Sequence, residues 1–187
     1  MLITDLEAVN GVLRELGEQP LTSTDTSYPT VELAQTALKT ARLELLQKGW
    51  WFNSAVNFSV TVSSDGKLAL PDNVLEFIPD NPNYIWAGKY IMDKNGGATF
   101  TSDTVVKGSI KFDLTLQNMP YSAQEWIVLA AASKVYVADF GPDSKYQEIQ
   151  LRIRELFNTL SAQHVRAKRP TMRNRPAVQQ YYRSLFT

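Results

Sequence analysis

The sequence predicts an α+β protein: an antiparallel helix bundle formed by both chain ends, with a small antiparallel β lobe inserted between them. Three observations predict it. Apolar residues recur every three or four positions near both ends of the chain and alternate with polar residues in the middle. Nowhere does the chain repeat the strand–helix alternation that a parallel sheet needs. The predicted boundaries are 1–49 and 119–170 for the bundle, 50–118 for the β lobe and 171–187 for a C-terminal arm.

Thr4 or Asp5 caps a first helix in which Leu6, Val9, Leu13 and Leu16 share a stripe, and Gly17 with Pro20 ends it. After the polar stretch Thr22 to Ser27, Pro29 stands at a first helical position. Leu33, Ala34, Ala37, Leu38, Ala41 and Leu45 then carry a second helix from about 29 to 48, before Gly49. Here the period falls to two. Phe58, Val60 and Val62 alternate with polar residues, and Ser64-Asp65-Gly66 offers a hairpin turn into a strand over Lys67 to Leu70. Further strands are predicted over Tyr84 to Met92, Ala98 to Ser102 and Val105 to Leu116, with Asn95-Gly96-Gly97 as a second hairpin turn. Pro71, Pro79 and Pro82 break the stretch between them into loop or short helix.

Helices return after Pro120. Ser122 and Glu125 have the spacing of a capping box, and Trp126 to Phe140 is apolar nearly all round, which suits the centre of a bundle. Gly141-Pro142 stops that helix and Asp143 or Ser144 starts a fourth, whose stripe is Tyr146, Ile149, Ile153, Leu156, Phe157, Leu160 and His164. From residue 166 the composition no longer suits a core. Arg166, Lys168, Arg169, Arg173 and Arg175 with Pro170 and Pro176 predict an exposed arm, tipped by Tyr181, Tyr182, Leu185 and Phe186.

A chain of 187 residues buries about 70% of its unfolded surface and needs no staple. Cysteine is absent, which excludes disulfides, thiolate metal sites and a cysteine nucleophile. Lysine plus arginine balances aspartate plus glutamate, 19 against 19, so no global field draws nucleic acid or an anionic membrane. The halves differ: residues 1–85 hold 11 acids and 5 bases, residues 86–187 hold 8 and 14, and no acid follows Glu155. No apolar run approaches the length of a membrane span, and Asp5 and Glu7 stand where a signal peptide is basic, so a soluble, unsecreted chain is expected.

The single histidine, His164, lies on the apolar stripe of the fourth helix three residues after Ser161. It reads as a bundle-end histidine in preference to a catalytic base. One imidazole leaves no histidine-based metal site, no phosphate-loop, zinc-helix or nucleophile-elbow motif occurs, and no cofactor is predicted. Asp72, Glu76 and Asp80 are four apart and at helical spacing share a face. That leaves a two-carboxylate glycoside hydrolase, or a carbohydrate-binding protein, as the alternative to a solvated acidic surface. Trp50-Trp51-Phe52 is either a seal between the two lobes, an interface anchor or a sugar platform, the seal being preferred for at least one tryptophan. The arm residues Arg166, Lys168, Arg169, Arg173, Arg175, Tyr181, Tyr182, Arg183 and Phe186 suit an acidic protein neighbour in preference to phosphate and stacked bases.

Several segments resemble the tail tubular protein A, or head-to-tail adaptor, family of short-tailed phages. They are Ala8-Val9-Asn10-Gly11-Val12-Leu13, Leu16-Gly17-Glu18-Gln19-Pro20-Leu21 and Gly49-Trp50-Trp51-Phe52-Asn53, with weaker likeness at Leu70-Pro71-Asp72, Trp126-Ile127-Val128 and Phe140-Gly141. The resemblance implies a non-catalytic virion structural protein. It further implies a homo-oligomeric ring, a dodecamer, between portal protein and tail nozzle protein, near which tail fibres attach and through which DNA passes without sequence-specific binding. It supplies no catalytic residues.

Overall fold

The computed structural model describes residues 3–23, 28–95, 97, 99–101 and 103–168. Helix α1 (Asp5–Leu16) opens on a reciprocal cap: the Thr4 hydroxyl accepts from the Glu7 amide, and the Glu7 carboxylate accepts from the Thr4 amide. Gly17, at φ 83°, closes it in the left-handed conformation that glycine adopts without strain. Pro29 starts α2 (Pro29–Leu46), which ends two residues short of the expected 48.

Helix α3 (Tyr121–Phe140) is buried over most of its circumference, and α1, α2 and α4 (Ser144–Lys168) all pack against it. The expected capping box at Ser122 and Glu125 is absent. Pro120 is fixed in an extended conformation and its carbonyl accepts from the Ala123 and Gln124 amides, so the helix starts one residue earlier. Ser122 instead donates to Gln163 Oε1 of α4 at 2.9 Å. The neighbouring Glu125 carboxylate raises the pKa of the Tyr121 phenol. Asp143 starts α4, its Oδ1 accepting from the Tyr146 amide at 2.8 Å and its Oδ2 from the Tyr136 hydroxyl at 2.7 Å. These two hydrogen bonds, the amide's first, hold its carboxyl below the usual range.

Among the described residues six strands, β1 (Ser54–Thr61), β2 (Leu68–Ala69), β3 (Val74–Pro79), β4 (Tyr84–Ala87), β5 (Tyr90–Asp93) and β6 (Val105–Phe112), make two antiparallel three-stranded sheets. Their orders are β1-β6-β3 and β2-β5-β4. Two apolar cores result. One draws on all four helices together with Trp50, Leu116 and Met119. The other consists of Val60, Leu68, Leu70, Phe77, Ile91, Val106 and Ile110 from the strands and the segment after β2.

Five strand expectations are corrected. The stretch between Pro71 and Pro82 holds β3: it is an edge of its sheet, where a proline at the last position, Pro79, removes no ladder bond on the free side. Tyr84 to Met92 is not one strand, because Gly88, at φ 61°, turns it into the tight β4–β5 hairpin in which Ala87 pairs with Tyr90. The Ser64-Asp65-Gly66 turn forms, closed by the Ser63 amide on the Lys67 carbonyl, yet β1 pairs with β6 and β2 with β5, so no β1–β2 ladder follows. The last strand stops at Phe112, and Leu116–Asn118 form a 3-10 turn. At the second predicted turn Asp93 bridges Gly97, while Gly96, Ala98 and Ser102 lie outside the described residues; Thr99 to Thr101 are not in a strand.

Candidate interface site

Chain direction reverses where α2 hands over to β1, and Gly49, at φ 73°, makes the turn. The next residue, Trp50, is 5% exposed, and its indole Nε1–H donates to the Leu45 carbonyl at 2.8 Å. Its ring meets Trp51, Phe157 and His164 edge-on, with centroids 6.3, 5.5 and 5.5 Å away. Trp51 and Phe52, edge to face at 4.9 Å, are half-buried against the same helical core. The three aromatics therefore sit at the point where the helical core meets the first strand.

Polar residues that periodicity did not single out hold this corner. Asn53, 1% exposed, accepts from the Trp50 amide through Oδ1 at 2.8 Å. Through Nδ2 it donates to the carbonyls of Leu46 at 2.9 Å and Phe112 at 3.1 Å. One side chain thus ties the end of α2, the turn and the end of β6. Lys111 of β6 reaches across to donate to the Gln47 carbonyl at the α2 C-terminus, where a cation is favoured by the helix dipole. Arg42 of α2 pairs with Asp113 at 3.2 Å and donates to the Leu114 carbonyl. Gln124, fully buried in α3, accepts from the Ile3 amide and donates to the Met119 carbonyl. Its one sequence signal is an amide beside an otherwise apolar run.

His164 closes the corner from α4. Its Nδ1 accepts from the Trp51 amide at 3.1 Å, which requires the neutral ring with its proton on Nε2. Burial, and then the neighbouring Lys168, hold its pKa below the ordinary 6.5. Ser161 does not engage the ring: its hydroxyl donates to the Phe157 carbonyl one turn back. The folded state resists a proton that the unfolded chain accepts at 6.5, so this contribution to stability is complete above that pH and declines as pH falls below it. Urea midpoints between about pH 8 and pH 5.5 are expected to fall for the wild type and to stay flatter for His164→Leu. With a single histidine in the chain, equal slopes would assign the effect elsewhere.

The carboxylates Asp72, Glu76 and Asp80 do not share a helical face. Glu76 lies on β3 with Asp72 and Asp80 flanking that strand, so the ends of the set are spread over about 25 Å of extended chain. Asp72 pairs with Lys89 at 2.7 Å and Glu76 with Lys111 at 2.5 Å, while the Asp80 amide bonds the Lys107 carbonyl. Arg166 and Lys168 correct the predicted start of the arm. They belong to the last turn of α4, where two cations complement the exposed carbonyls. Arg169, Arg173, Arg175, Tyr181, Tyr182, Arg183 and Phe186 lie outside the described residues.

Two open cavities flank α1. One, of about 390 Å³, lies between α1 and α2, with Ala8, Val9 and Leu38 below and Asp5, Lys39 and Arg42 around it. The other, of about 320 Å³, lies between α1 and α4. Among the described residues no group of three or more His, Cys, Asp or Glu side chains could hold a metal ion, and no helix is long and apolar enough to cross a membrane.

The family model described as tail tubular protein matches residues 6–170. A curated relative, tail tubular protein A of Klebsiella phage KP34, is 31% identical over 170 residues, which cover 88% of this chain and 89% of the relative.

Proposed function

The chain belongs to the tail tubular protein family, and from this premise we propose that it forms the adaptor ring joining the portal to the tail nozzle of a phage. A phage tail component of structural type is the coarser statement, and the family match supports it directly. The ring, its portal and nozzle neighbours and its help in anchoring tail fibres are the finer reading. What carries that reading is extent: the match runs from the second residue of α1 past the end of α4, so helices and sheets are matched together as one unit.

In this reading the mechanism is contact and the chain performs no reaction. The helices form an antiparallel bundle made by residues 1–49 and 119–170, the strands of 50–118 form a second lobe, and Trp50, Trp51 and Phe52 fix one to the other. The two lobes then present different faces to successive rings, in the closed, heterologous arrangement of a cyclic oligomer. Residues Arg166 and Lys168 and those of the 171–187 segment supply a basic contact for an acidic neighbour. DNA passes through the opening, read only as a charged rod.

The test is mass by light scattering and imaging, alone and with portal rings. A monomer alone that becomes a ring on portal is expected. A mixture that stays at monomer mass overturns the adaptor reading.

A further inference from the structure

The corner where α2 meets β1 has a lysine at each end of its aromatic cluster. Lys48, exposed just past α2, holds its Nζ 5.4 Å over the Phe157 ring. Lys168, also exposed, stands one turn beyond His164 on α4, near enough to bear on that imidazole's proton affinity. From Phe157 to Lys168 is about 16 Å of helix. Trp50 touches Phe157 and His164 within that length, and half-buried Trp51 sets its ring 6.2 Å from His164 and 4.9 Å from Phe52. Each of the two helices supplies one cation, so the surface exists only once the corner has closed.

Among the described residues neither lysine is in an ion pair. The acids nearby are already engaged. Glu44, one turn before Lys48, pairs with Lys134, and Asp113 pairs with Arg42. Glu76 pairs with Lys111, whose Nζ also donates to the Gln47 carbonyl. Glu155 lies two residues before Phe157, on the opposite face of α4. Outside the described residues the one acidic side chain is Asp25, ahead of α2, and no acid follows Lys168. The corner therefore keeps two positive charges around a partly exposed aromatic edge.

That number selects the partner. Duplex binding draws on roughly six to ten phosphate contacts, and two lysines on a chain of zero net charge fall short of it. Two carboxylates on one short segment suffice, since about five extended residues cover 16 Å. We propose that this corner docks a short acidic segment of another protein, with carboxylates on Lys48 and Lys168 and an apolar side chain on the Trp51–Phe52 edge. That the segment belongs to a neighbouring ring of the tail rests on the adaptor reading; the surface itself does not.

The probe is a nine-residue peptide of eight glutamates around a central leucine, titrated calorimetrically into the full chain at low ionic strength. Lys48→Glu with Lys168→Glu is expected to weaken its binding at least about ten-fold, because the reversed charges repel the carboxylates. The control, Lys39→Glu with Lys94→Glu, makes the same change of net charge at two exposed sites elsewhere and should stay within about two-fold of wild type. Lys48→Gln with Lys168→Gln repeats the loss should the double reversal disturb the fold. Peptide that does not bind, a corner variant that binds it as wild type does, or a control weakened as much as the corner variant each overturns the proposal. A 20-base-pair duplex bound more tightly than the peptide in the same buffer would assign the surface to nucleic acid and overturn it equally. Wild-type assembly on portal rings is scored alongside. Peptide binding without assembly removes the adaptor reading alone, whereas assembly without peptide binding removes the acidic-segment surface alone.

Discussion

Replacing Trp50 by alanine is expected to lower the unfolding free energy by about 4 kcal/mol, the range for emptying a fully packed aromatic site. The indole is 5% exposed, is wedged among Trp51, Phe157 and His164, and makes its own hydrogen bond to Leu45. The walls of the resulting void belong to the end of α2, the corner and α4, which cannot all relax inward. Trp51→Ala is expected to lose only about 1 kcal/mol, since its ring is only partly buried and its amide keeps the bond to His164. Urea midpoints of the two single variants decide between them. Equal losses would mean that both rings seal the corner.

Asn53→Ala is expected to cost about 3 kcal/mol, because it strips partners from the Trp50 amide and from two carbonyls in a site that water does not reach. Asn53→Asp separates hydrogen bonding from volume. The aspartate fills the same space and still accepts from Trp50, but it has no N–H for Leu46 and Phe112 and sets a carboxylate against their carbonyl oxygens. It should therefore be at least as destabilising as the alanine at pH 7. An aspartate variant with wild-type stability would show that the side chain acts only as a filler.

The helices were legible because each carries its own evidence. Burial in α1 falls on Ala8, Val9, Val12 and Leu13, which shares Val9 and Leu13 with the marked stripe but leaves Leu6 and Leu16 only partly buried, and α3 is buried nearly all round as its composition demands. The strands were less so. Proline normally argues against a strand, and only the position of β3 at a sheet edge makes Pro79 acceptable. Gly88 inside an apolar run reads as continuation until the left-handed φ that it adopts is known. At the candidate site the tryptophans announced themselves as a cluster. Asn53 and Gln124 did not, because their value lies in backbone groups 59 and 121 residues away in the chain, which no local pattern encodes. The spacing of Asp72, Glu76 and Asp80 gave a wrong picture for a related reason: four residues means one face on a helix and a long separation on a strand.

The helical core draws on both chain ends, and that has a consequence for the order in which it is made. Translation at about 5–20 residues per second puts about 70 residues, or about 4–14 s, between the emergence of α2 and that of α3. For that interval the stripes of α1 and α2 have each other and no third helix to cover them. The strands β1 to β6, lying between residues 54 and 112, leave the ribosome before α3 begins. The sheets can pair while Val12, Leu13 and Leu45 still wait for Ile127 and Ala131. The helical half of the molecule is thus begun first and closed last.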